Sequence, residues 1–173
     1  MQRATFAAGC YWGTEKFFRK EFGDNINNVA VGFMGGSDAN PTYRQVCSGT
    51  TGHAEVLSFE FNTAKVRYED LLRHYFRMHD PTTLNRQQGD VGTQYRSAIF
   101  YHTPEQKALA EKMIANLNDP SSADGQKLRA VFGANSKVVT RVEKATEFYP
   151  AHEEHQEYLA KNPGGYCTHR LYW

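Results

Sequence analysis

The segment AEVLSFEF, residues 54–61, constrains the fold most strongly, because its side chains alternate between two faces with a period of two. That period predicts a β-strand. Soon afterwards the period changes to that of an amphipathic helix, with apolar side chains at Tyr68, Leu71, Leu72, Tyr75 and Phe76. A strand followed directly by such a helix indicates a sheet with helices packed against it.

The rest of the chain repeats this alternation of strands and helices. Short strands are predicted at 4–8, 29–34, 97–102 and 137–142. Helices are predicted at 12–22, from Pro104 behind the N-cap Thr103, and around 151–162. We therefore expect an α/β (α+β) fold, a two-layer sandwich of helices on a mixed β-sheet with a ferredoxin-like core. The length suits a single domain over residues 1–173.

Charge and cysteine usage exclude several classes of protein. With 20 Lys and Arg against 19 Asp and Glu, the chain lacks the excess of positive charge that would attract nucleic acids or anionic membranes. No apolar run reaches the ~20 residues of a membrane span, and no signal peptide is visible. Three widely spaced cysteines do not fit a disulfide-stapled secreted scaffold. We expect a cytoplasmic monomer that binds neither nucleic acid nor membrane.

Cys10 is the first candidate for chemistry, because it stands at a predicted junction between a strand and a helix. The N–H groups and dipole of a helix start favour the thiolate, which is the reactive form of cysteine. Gly9 and Gly13 on either side would let a ligand approach the backbone. The alternative is a buried, inert cysteine, which is common in proteins.

Glu55 is the second candidate, because the alternation puts it on the same face as apolar residues, Leu57, Phe59 and Phe61. A carboxyl in apolar surroundings keeps its proton to higher pH, which suits a general acid. The alternative is that the strand begins one residue later and Glu55 lies in water.

Two long polar loops, 35–53 and 79–96, contain further polar candidates. Long loops in a compact domain are usually functional or disordered. Tyr43, Tyr95 and Asp90 lie in them, and the two hydroxyls would donate hydrogen bonds to a polar ligand. The alternative for the tyrosines is packing, since the chain has 10 of them.

The last part of the chain supports competing interpretations. Cys167 follows two glycines, so a flexible tail would bring a second thiol to Cys10, or would simply hold an idle one. Alternatively, a zinc-stabilised interaction module would use four ligands: His152, His155, Cys167 and His169. A cysteine hydrolase would instead pair Cys10 with a histidine base such as His53.

Four segments carry a resemblance to a known family: GCYWGTEKFF, YRQVCSGTTGHAEV, HDPTTLNRQQGDVGTQYRS and EEHQEYLAKNPGGYC. In this order they resemble the A-type peptide methionine sulfoxide reductases, which act on the S epimer. The resemblance covers nearly the whole chain. It implies an oxidoreductase that repairs oxidatively damaged proteins.

The resemblance also implies a role for individual residues. Cys10 matches the catalytic nucleophile, Glu55 the acid, and Cys167 the resolving cysteine on a flexible tail. The remaining matches are two hydroxyl donors, a carboxylate near the site and the aromatic pair of the S-methyl pocket: Tyr43, Tyr95, Asp90, Tyr11 and Trp12. Tyr11 stands where the family usually has Phe. Cys47 matches no required role and is interpreted as a bystander.

The implied chemistry is the reduction of a methionine sulfoxide, in a protein or as the free amino acid. Attack by Cys10 would leave a sulfenic acid on the enzyme and release methionine. Cys167 would then form a disulfide with Cys10, and thioredoxin would reduce it. The segment THRLYW after Cys167 holds no further cysteine, so one resolving step is expected. No metal or organic cofactor is called for.

This chemistry led us to expect an inverted order of two pKa values. Glu55 would be neutral while Cys10 is ionised, although a free thiol has a pKa roughly four units above that of a free carboxyl. An apolar strand face would raise the pKa of Glu55, and a helix start would lower that of Cys10.

Overall fold

The computed structural model describes residues 1–173, and eight strands form its sheets. In chain order they are β1 (Gln2–Ala8), β2 (Ile26–Met34), β3 (Ala54–Phe61), β4 (Arg86–Gln87), β5 (Asp90–Val91), β6 (Ser97–Tyr101), β7 (Arg141–Lys144) and β8 (Tyr149–Pro150). Six of them form one sheet in the order β7-β6-β1-β3-β2-β8. β4 and β5 pair separately as a short antiparallel hairpin.

Six α-helices connect and cover these strands. They are α1 (Tyr11–Phe22), α2 (Tyr43–Cys47), α3 (Tyr68–Arg77), α4 (Pro104–Asn118), α5 (Ala123–Phe132) and α6 (Tyr158–Lys161). Single 3₁₀ turns lie at Gly23–Asn25, Thr93–Tyr95 and Glu153–His155. None of the helices combines the length and the apolar character that crossing a membrane requires.

The centre of the molecule has the ferredoxin-like arrangement that we expected. β1, α1, β2, β3, α3 and β6 follow one another along the chain, and the four strands lie in the order β6-β1-β3-β2. All neighbours in this group are antiparallel. β7 pairs with β6 in parallel, which makes the sheet mixed. The predicted fold class is therefore confirmed.

The main core lies between the sheet and its helices. Side chains from alternate strand positions meet those of α1, α3 and α4, among them Phe6, Phe18, Leu57, Phe59, Leu72 and Leu117. The opposite face of the sheet carries a smaller cluster that Ala145 and Phe148 help to cover. Because both faces are covered, seven of the eight residues of β3 are buried. The alternating side chains of this strand therefore face two different apolar clusters, and neither set faces water.

Several local elements differ from the predictions. Loop 35–53 contains α2, which begins at a capping box in which Thr42 Oγ1 accepts from Gln45 N at 3.1 Å. A helix of five residues is too short to show a period, and α5 was not predicted. β7 begins at Arg141 and not at Lys137, because Val139 N donates to the Pro81 carbonyl outside the sheet.

Residues 162–173 form a tail without helix or strand that returns to the middle of the molecule. His169 Nε2 lies 2.5 Å from the Ala8 carbonyl oxygen at the end of β1. Farther on, Tyr172 N donates to the Arg77 carbonyl at 2.8 Å, and Arg77 Nε donates to the Trp173 carbonyl. These contacts anchor the far side of the tail to β1 and α3. That the tail moves during function stays a prediction.

Candidate active site

Cys10 lies at the junction between a strand and a helix that the sequence predicted, and it occupies the N-cap of α1, which begins one residue earlier than expected. The chain leaves β1 through Gly9, whose φ of +85° suits glycine, and enters the helix at Tyr11. The backbone N–H groups of Trp12 and Gly13 lie close enough to the Cys10 sulfur to lower its pKa, but the side chain makes no capping hydrogen bond to the helix. Cys10 is only 5 % exposed. The thiol is therefore buried against the first turn of the helix.

The predicted lowering of the Cys10 pKa is wrong. Burial raises this pKa well above its ordinary value of 9.0, and the charge of an ionised Glu55 raises it further. The nearby N–H groups of Trp12 and Gly13 lower the pKa as expected, but burial outweighs them. The reason is that a thiolate at this depth loses its hydration, and the first turn of the helix replaces only part of it. In the resting protein Cys10 is a protonated thiol.

Glu55 points into the core face of β3, as its place in the alternation predicted. Its carboxyl is 1 % exposed, and Oε1 accepts from Tyr11 N at 3.1 Å, next to Cys10. The other oxygen, Oε2, is buried and has no partner. Burial raises the pKa of Glu55 to about 8, against the opposing effect of the Tyr11 hydrogen bond. At neutral pH this carboxyl therefore holds a proton that it can donate.

Tyr43 and Tyr95 are brought together from the two long loops. Tyr43 opens α2, and Tyr95 ends the 3₁₀ turn at Thr93–Tyr95. Gln94 Nε2 donates to the Cys47 carbonyl at 3.2 Å and so ties the loops to each other. Burial raises the pKa of both phenols, which stay protonated donors.

Cys47 lies closer to this site than its bystander interpretation suggested. The side chains of Tyr43 and Tyr95 lie close enough to its thiol to lower the Cys47 pKa, although burial outweighs them. Burial raises the pKa of Cys47, so it is a neutral thiol in the wall of the site. That Cys47 takes no part in the chemistry stays a prediction.

Asp90 lies at the hairpin of β4 and β5, and its oxygens have different surroundings. Oδ1 accepts from Tyr166 Oη at 3.3 Å, while Oδ2 is buried without a partner. Burial raises the pKa of Asp90. Tyr166 is not predicted from the sequence, because no local pattern shows that the tail passes this hairpin.

An aromatic wall of five side chains surrounds the start of α1: Tyr11, Trp12, Tyr43, His155 and Tyr158. Trp12 stacks on Tyr158 with 3.8 Å between ring centroids, and its Nε1 donates to His155 Nδ1 at 3.1 Å. Tyr11 faces Tyr43 with centroids 6.1 Å apart. The Tyr11 hydroxyl is buried without a partner. The sequence analysis named His155 only as a zinc ligand and did not single out Tyr158.

The tail brings Cys167 to the same helix turn that holds Cys10. A Cβ atom on Gly13 would lie 2.9 Å from Cys167 Sγ and still closer to His169 Nδ1. Gly13 therefore gives space to the chain's own tail and not to an external ligand. Gly9 does the same for Gln87, whose side chain would lie 2.6 Å from a Cβ there. The expectation that both glycines admit a ligand is corrected in this respect.

The residues of the zinc alternative do not form a metal site. His155 pairs with Trp12, and His169 pairs with Ala8. No group of three or more His, Cys, Asp or Glu side chains is placed to hold a metal ion.

The histidine of the hydrolase alternative is also occupied. His53 Nδ1 accepts from Gly36 N at 3.0 Å, and Nε2 lies 2.6 Å from the Asp38 carbonyl oxygen. Because both ring nitrogens bind backbone groups, His53 has no lone pair free to act as a base on Cys10.

A cavity of about 280 Å³ opens between α1 and α6, beside this wall. Trp12, Glu15 and Glu157 are among its lining residues, whereas Cys10 is not. Trp12 of the aromatic wall thus faces this cavity, and the thiol does not.

Comparison with known proteins agrees with this arrangement. The pattern of the family described as PMSR, peptide methionine sulfoxide reductase, matches residues 2–172. A peptide methionine sulfoxide reductase MsrA of Methanothermobacter thermautotrophicus is 46% identical over 166 residues, covering 96% of this chain and 90% of the relative.

Solved structures show the same relationship in three dimensions. Mxr1 from Saccharomyces cerevisiae in reduced form aligns with a TM-score of 0.83 and 36% identity, covering 98% of this chain and 91% of that one. A structure of Mxr1 in complex with Trx2 aligns with a TM-score of 0.60 and 26% identity, covering 98% and 88%. The chain belongs to the peptide methionine sulfoxide reductases of the A type.

Proposed function

We propose that this enzyme reduces the S epimer of methionine sulfoxide, in oxidised proteins and as the free amino acid. In this proposal Cys10 attacks the substrate, Cys167 resolves the product, and a thioredoxin supplies the electrons. The observation that carries it is the buried Glu55 carboxyl, bound to Tyr11 N next to Cys10, with a second oxygen free.

The first step transfers one oxygen from the substrate sulfur to Cys10. A sulfoxide sulfur is a poor electrophile until its oxygen accepts a proton or strong hydrogen bonds. Glu55 donates its proton to that oxygen, while Tyr43 and Tyr95 donate hydrogen bonds. Cys10 attacks, its thiol proton replaces the one that Glu55 gives up, and the S–O bond to the substrate breaks. Thiol and sulfoxide thus become sulfenic acid and thioether, with no net proton from solvent.

This proton exchange removes the need for a thiolate in the resting enzyme. Burial raises the pKa of both Cys10 and Glu55, so both groups hold a proton at neutral pH. Passing the thiol proton on as the sulfur attacks avoids a buried, isolated charge. The chemistry that we expected from inverted pKa values therefore proceeds from two neutral groups.

Selection of one epimer follows from three separate contacts. The sulfoxide sulfur is a stereocentre that carries an oxygen, a methyl group and the rest of the methionine. The oxygen faces Glu55, the methyl group packs on Tyr11 and Trp12, and Cys10 approaches from a third side. Only one epimer of the sulfoxide satisfies all three contacts. The resemblance to the A-type enzymes indicates that this is the S epimer.

The second step forms a disulfide between Cys10 and Cys167 with loss of water. The position of Cys167 against Gly13, in the turn that holds Cys10, supports this pairing. The structure of Mxr1 in complex with Trx2 supports a thioredoxin as the reductant.

Two cysteine variants separate the steps. Cys10→Ser is expected to abolish reduction of S-methionine sulfoxide. Cys167→Ser is expected to release about one methionine per enzyme and then to stall under thioredoxin, because its sulfenic acid has no resolving thiol. Methionine release in single-turnover and steady-state assays with each epimer measures both effects. Continuous turnover of Cys167→Ser with thioredoxin would show that Cys167 is not the resolving cysteine.

Glu55→Gln tests the acid. The amide keeps an acceptor for Tyr11 N but has no carboxyl proton, so methionine release should slow by about 100-fold or more. Glu60→Gln is the matched control, because this residue lies on the same strand and bonds Arg3 and Asn28 instead. Equal rates for Glu55→Gln and the wild type would remove Glu55 from the mechanism.

A further inference from the structure

His169 holds a buried ring nitrogen that nothing in the fold occupies. The residue is 7 % exposed, and its Nε2 lies 2.5 Å from the Ala8 carbonyl oxygen. A carbonyl accepts only a donor, so Nε2 carries the hydrogen and Nδ1 carries the lone pair of the neutral ring. Nδ1 is buried and has no hydrogen-bond partner. A buried acceptor without a partner is rare in native proteins and calls for an explanation, of which a catalytic role is one.

The thiol of Cys167 lies beside the same residue of α1 as that lone pair. His169 Nδ1 and Cys167 Sγ both lie within 2.9 Å of the place that a Cβ on Gly13 would take, and the thiol faces the His169 carbonyl at 3.9 Å. The N–H of the same Gly13 lies near enough to the Cys10 sulfur to lower its pKa. Gly13 is therefore close to Cys10, to Cys167 and to the open lone pair of His169.

We propose that His169 is the general base of the recycling step, taking the proton from Cys167 as its sulfur attacks the sulfenic acid on Cys10. This inference rests on the proposed function, which supplies the sulfenic acid. The S–S bond forms, the S–O bond on Cys10 breaks, and the proton held at Nδ1 balances the departing hydroxide. The sulfenic acid and the thiol thus become a disulfide and water, with no other oxidant.

The charge state of His169 is compatible with this role. Burial lowers its pKa to about 4, against the opposing effect of the Ala8 hydrogen bond. Its titratable neighbours are the Cys167 thiol and His79, whose pKa burial lowers to about 3. Both imidazoles are therefore neutral at pH 7, and the lone pair of Nδ1 is available. A base of low pKa accelerates less than one poised near 7.

His169 also anchors the tail, so the test must separate anchoring from proton transfer. His169→Gln can keep an N–H for the Ala8 carbonyl while it removes the imidazole base. After mixing with S-methionine sulfoxide, methionine release reports the first step, and loss of free thiols reports disulfide formation. The exposed His152→Gln is the matched control.

We expect His169→Gln to release methionine at the wild-type rate and to form the disulfide at least about tenfold more slowly. Its sulfenic acid should accumulate and be trapped by dimedone. Disulfide formation at the wild-type rate would overturn the proposal. So would an equal slowing of both steps, because that outcome indicates a structural role.

The pH dependence of disulfide formation gives a second test, in which the wild type alone can contradict the proposal. With a neutral imidazole as the base, wild-type disulfide formation should be nearly independent of pH between about 6 and 8. Reaction through a free thiolate would instead rise about tenfold per pH unit while most of the thiol is protonated. His169→Gln is expected to show that rise, and the same rise in the wild type would overturn the proposal.

Methionine release and disulfide formation test the proposed function and the role of His169 separately. If the wild type releases no methionine, the proposed function is wrong, and the role of His169 falls with it. If the wild type releases methionine and forms the disulfide, but His169→Gln does so equally fast, only the role of His169 is wrong.

Discussion

At the scale of single residues, burial acts on Cys10 and Glu55 in the same direction. Removal from water disfavours the charged form of both a thiol and a carboxyl, so both pKa values rise. The sequence predicted this for Glu55, because the alternation of β3 showed its apolar surroundings. It failed for Cys10, because the helix start was visible in the sequence and the depth of burial was not.

The raised pKa of Glu55 makes stability depend on pH. The carboxyl ionises near its ordinary value of 4.5 in the unfolded chain and near 8 in the folded one. Between these values the folded state holds the extra proton, so this contribution is fully present below 4.5 and is lost as pH rises through 8. The slope approaches about 1.4 kcal/mol per pH unit.

Urea denaturation of the wild type and Glu55→Gln from pH 5 to 8 measures this effect. The variant does not titrate at position 55. As pH rises, the free energy of unfolding of the wild type should therefore fall relative to that of the variant. A constant difference between the two proteins over this range would contradict a raised pKa.

At the scale of elements, the first turn of α1 organises the site. Its Tyr11 N–H binds the Glu55 carboxyl, the N–H groups of Trp12 and Gly13 lower the pKa of Cys10, and Gly13 makes room for the tail. The sequence predicted a helix beginning close to this position. It did not predict what lies against Gly13, because the tail is more than 150 residues away along the chain.

Gly13→Ala tests that close approach. In an exposed helix interior the change would stabilise by about 1 kcal/mol. Here the new methyl group would overlap His169 and crowd Cys167, so we expect a loss of about 1–3 kcal/mol in unfolding free energy. Disulfide formation should slow more than methionine release.

Gly164→Ala is the control for this change, because nothing lies within 4 Å of a Cβ at that position. Chemical denaturation and the two-step kinetic assay provide the measurements. A stabilised Gly13→Ala protein with unchanged kinetics would contradict the observed packing of the tail on α1.

At the scale of the whole molecule, the site is assembled from three separate segments around α1 and β3. Arg96, 4 % exposed, donates to the Gly52 carbonyl and pairs with Glu143, which ties the second loop to the first and to β7. The tail then passes the second loop, where Tyr166 Oη donates to Asp90 Oδ1 at 3.3 Å. Such long-range ties have no local sequence pattern.

The contacts of Trp173, which anchor the end of the tail, should affect how closely the tail holds the Cys167 thiol to Cys10. The Trp173 ring lies 5.3 Å from the Arg73 guanidinium carbon and 5.7 Å from that of Arg77. Removing these cation–π contacts, worth about 0.5–1 kcal/mol each at exposed sites, should loosen the tail. We expect Trp173→Ala to form the disulfide several-fold more slowly, because a looser tail lowers the effective concentration of Cys167.

The same variant should release methionine at the wild-type rate, since Trp173 lies outside the aromatic wall. Leu171→Ala, at a residue that is 50 % exposed, is the matched control. Faster alkylation of Cys167 by iodoacetamide would report the loosening directly. Unchanged alkylation and unchanged disulfide formation would show that this anchor does not position the thiol.

The sequence by itself determined the fold class, the strand that carries Glu55, the helix that follows Cys10 and, through four motifs, the family. These properties follow from short-range periods and local patterns, which a linear chain displays directly. Only the tertiary structure decided that burial raises the pKa of Cys10, that Cys47 lies beside two site tyrosines, and that His169 and Cys167 both pack against Gly13. Burial and contact between distant segments are properties of packing, and no residue shows them alone.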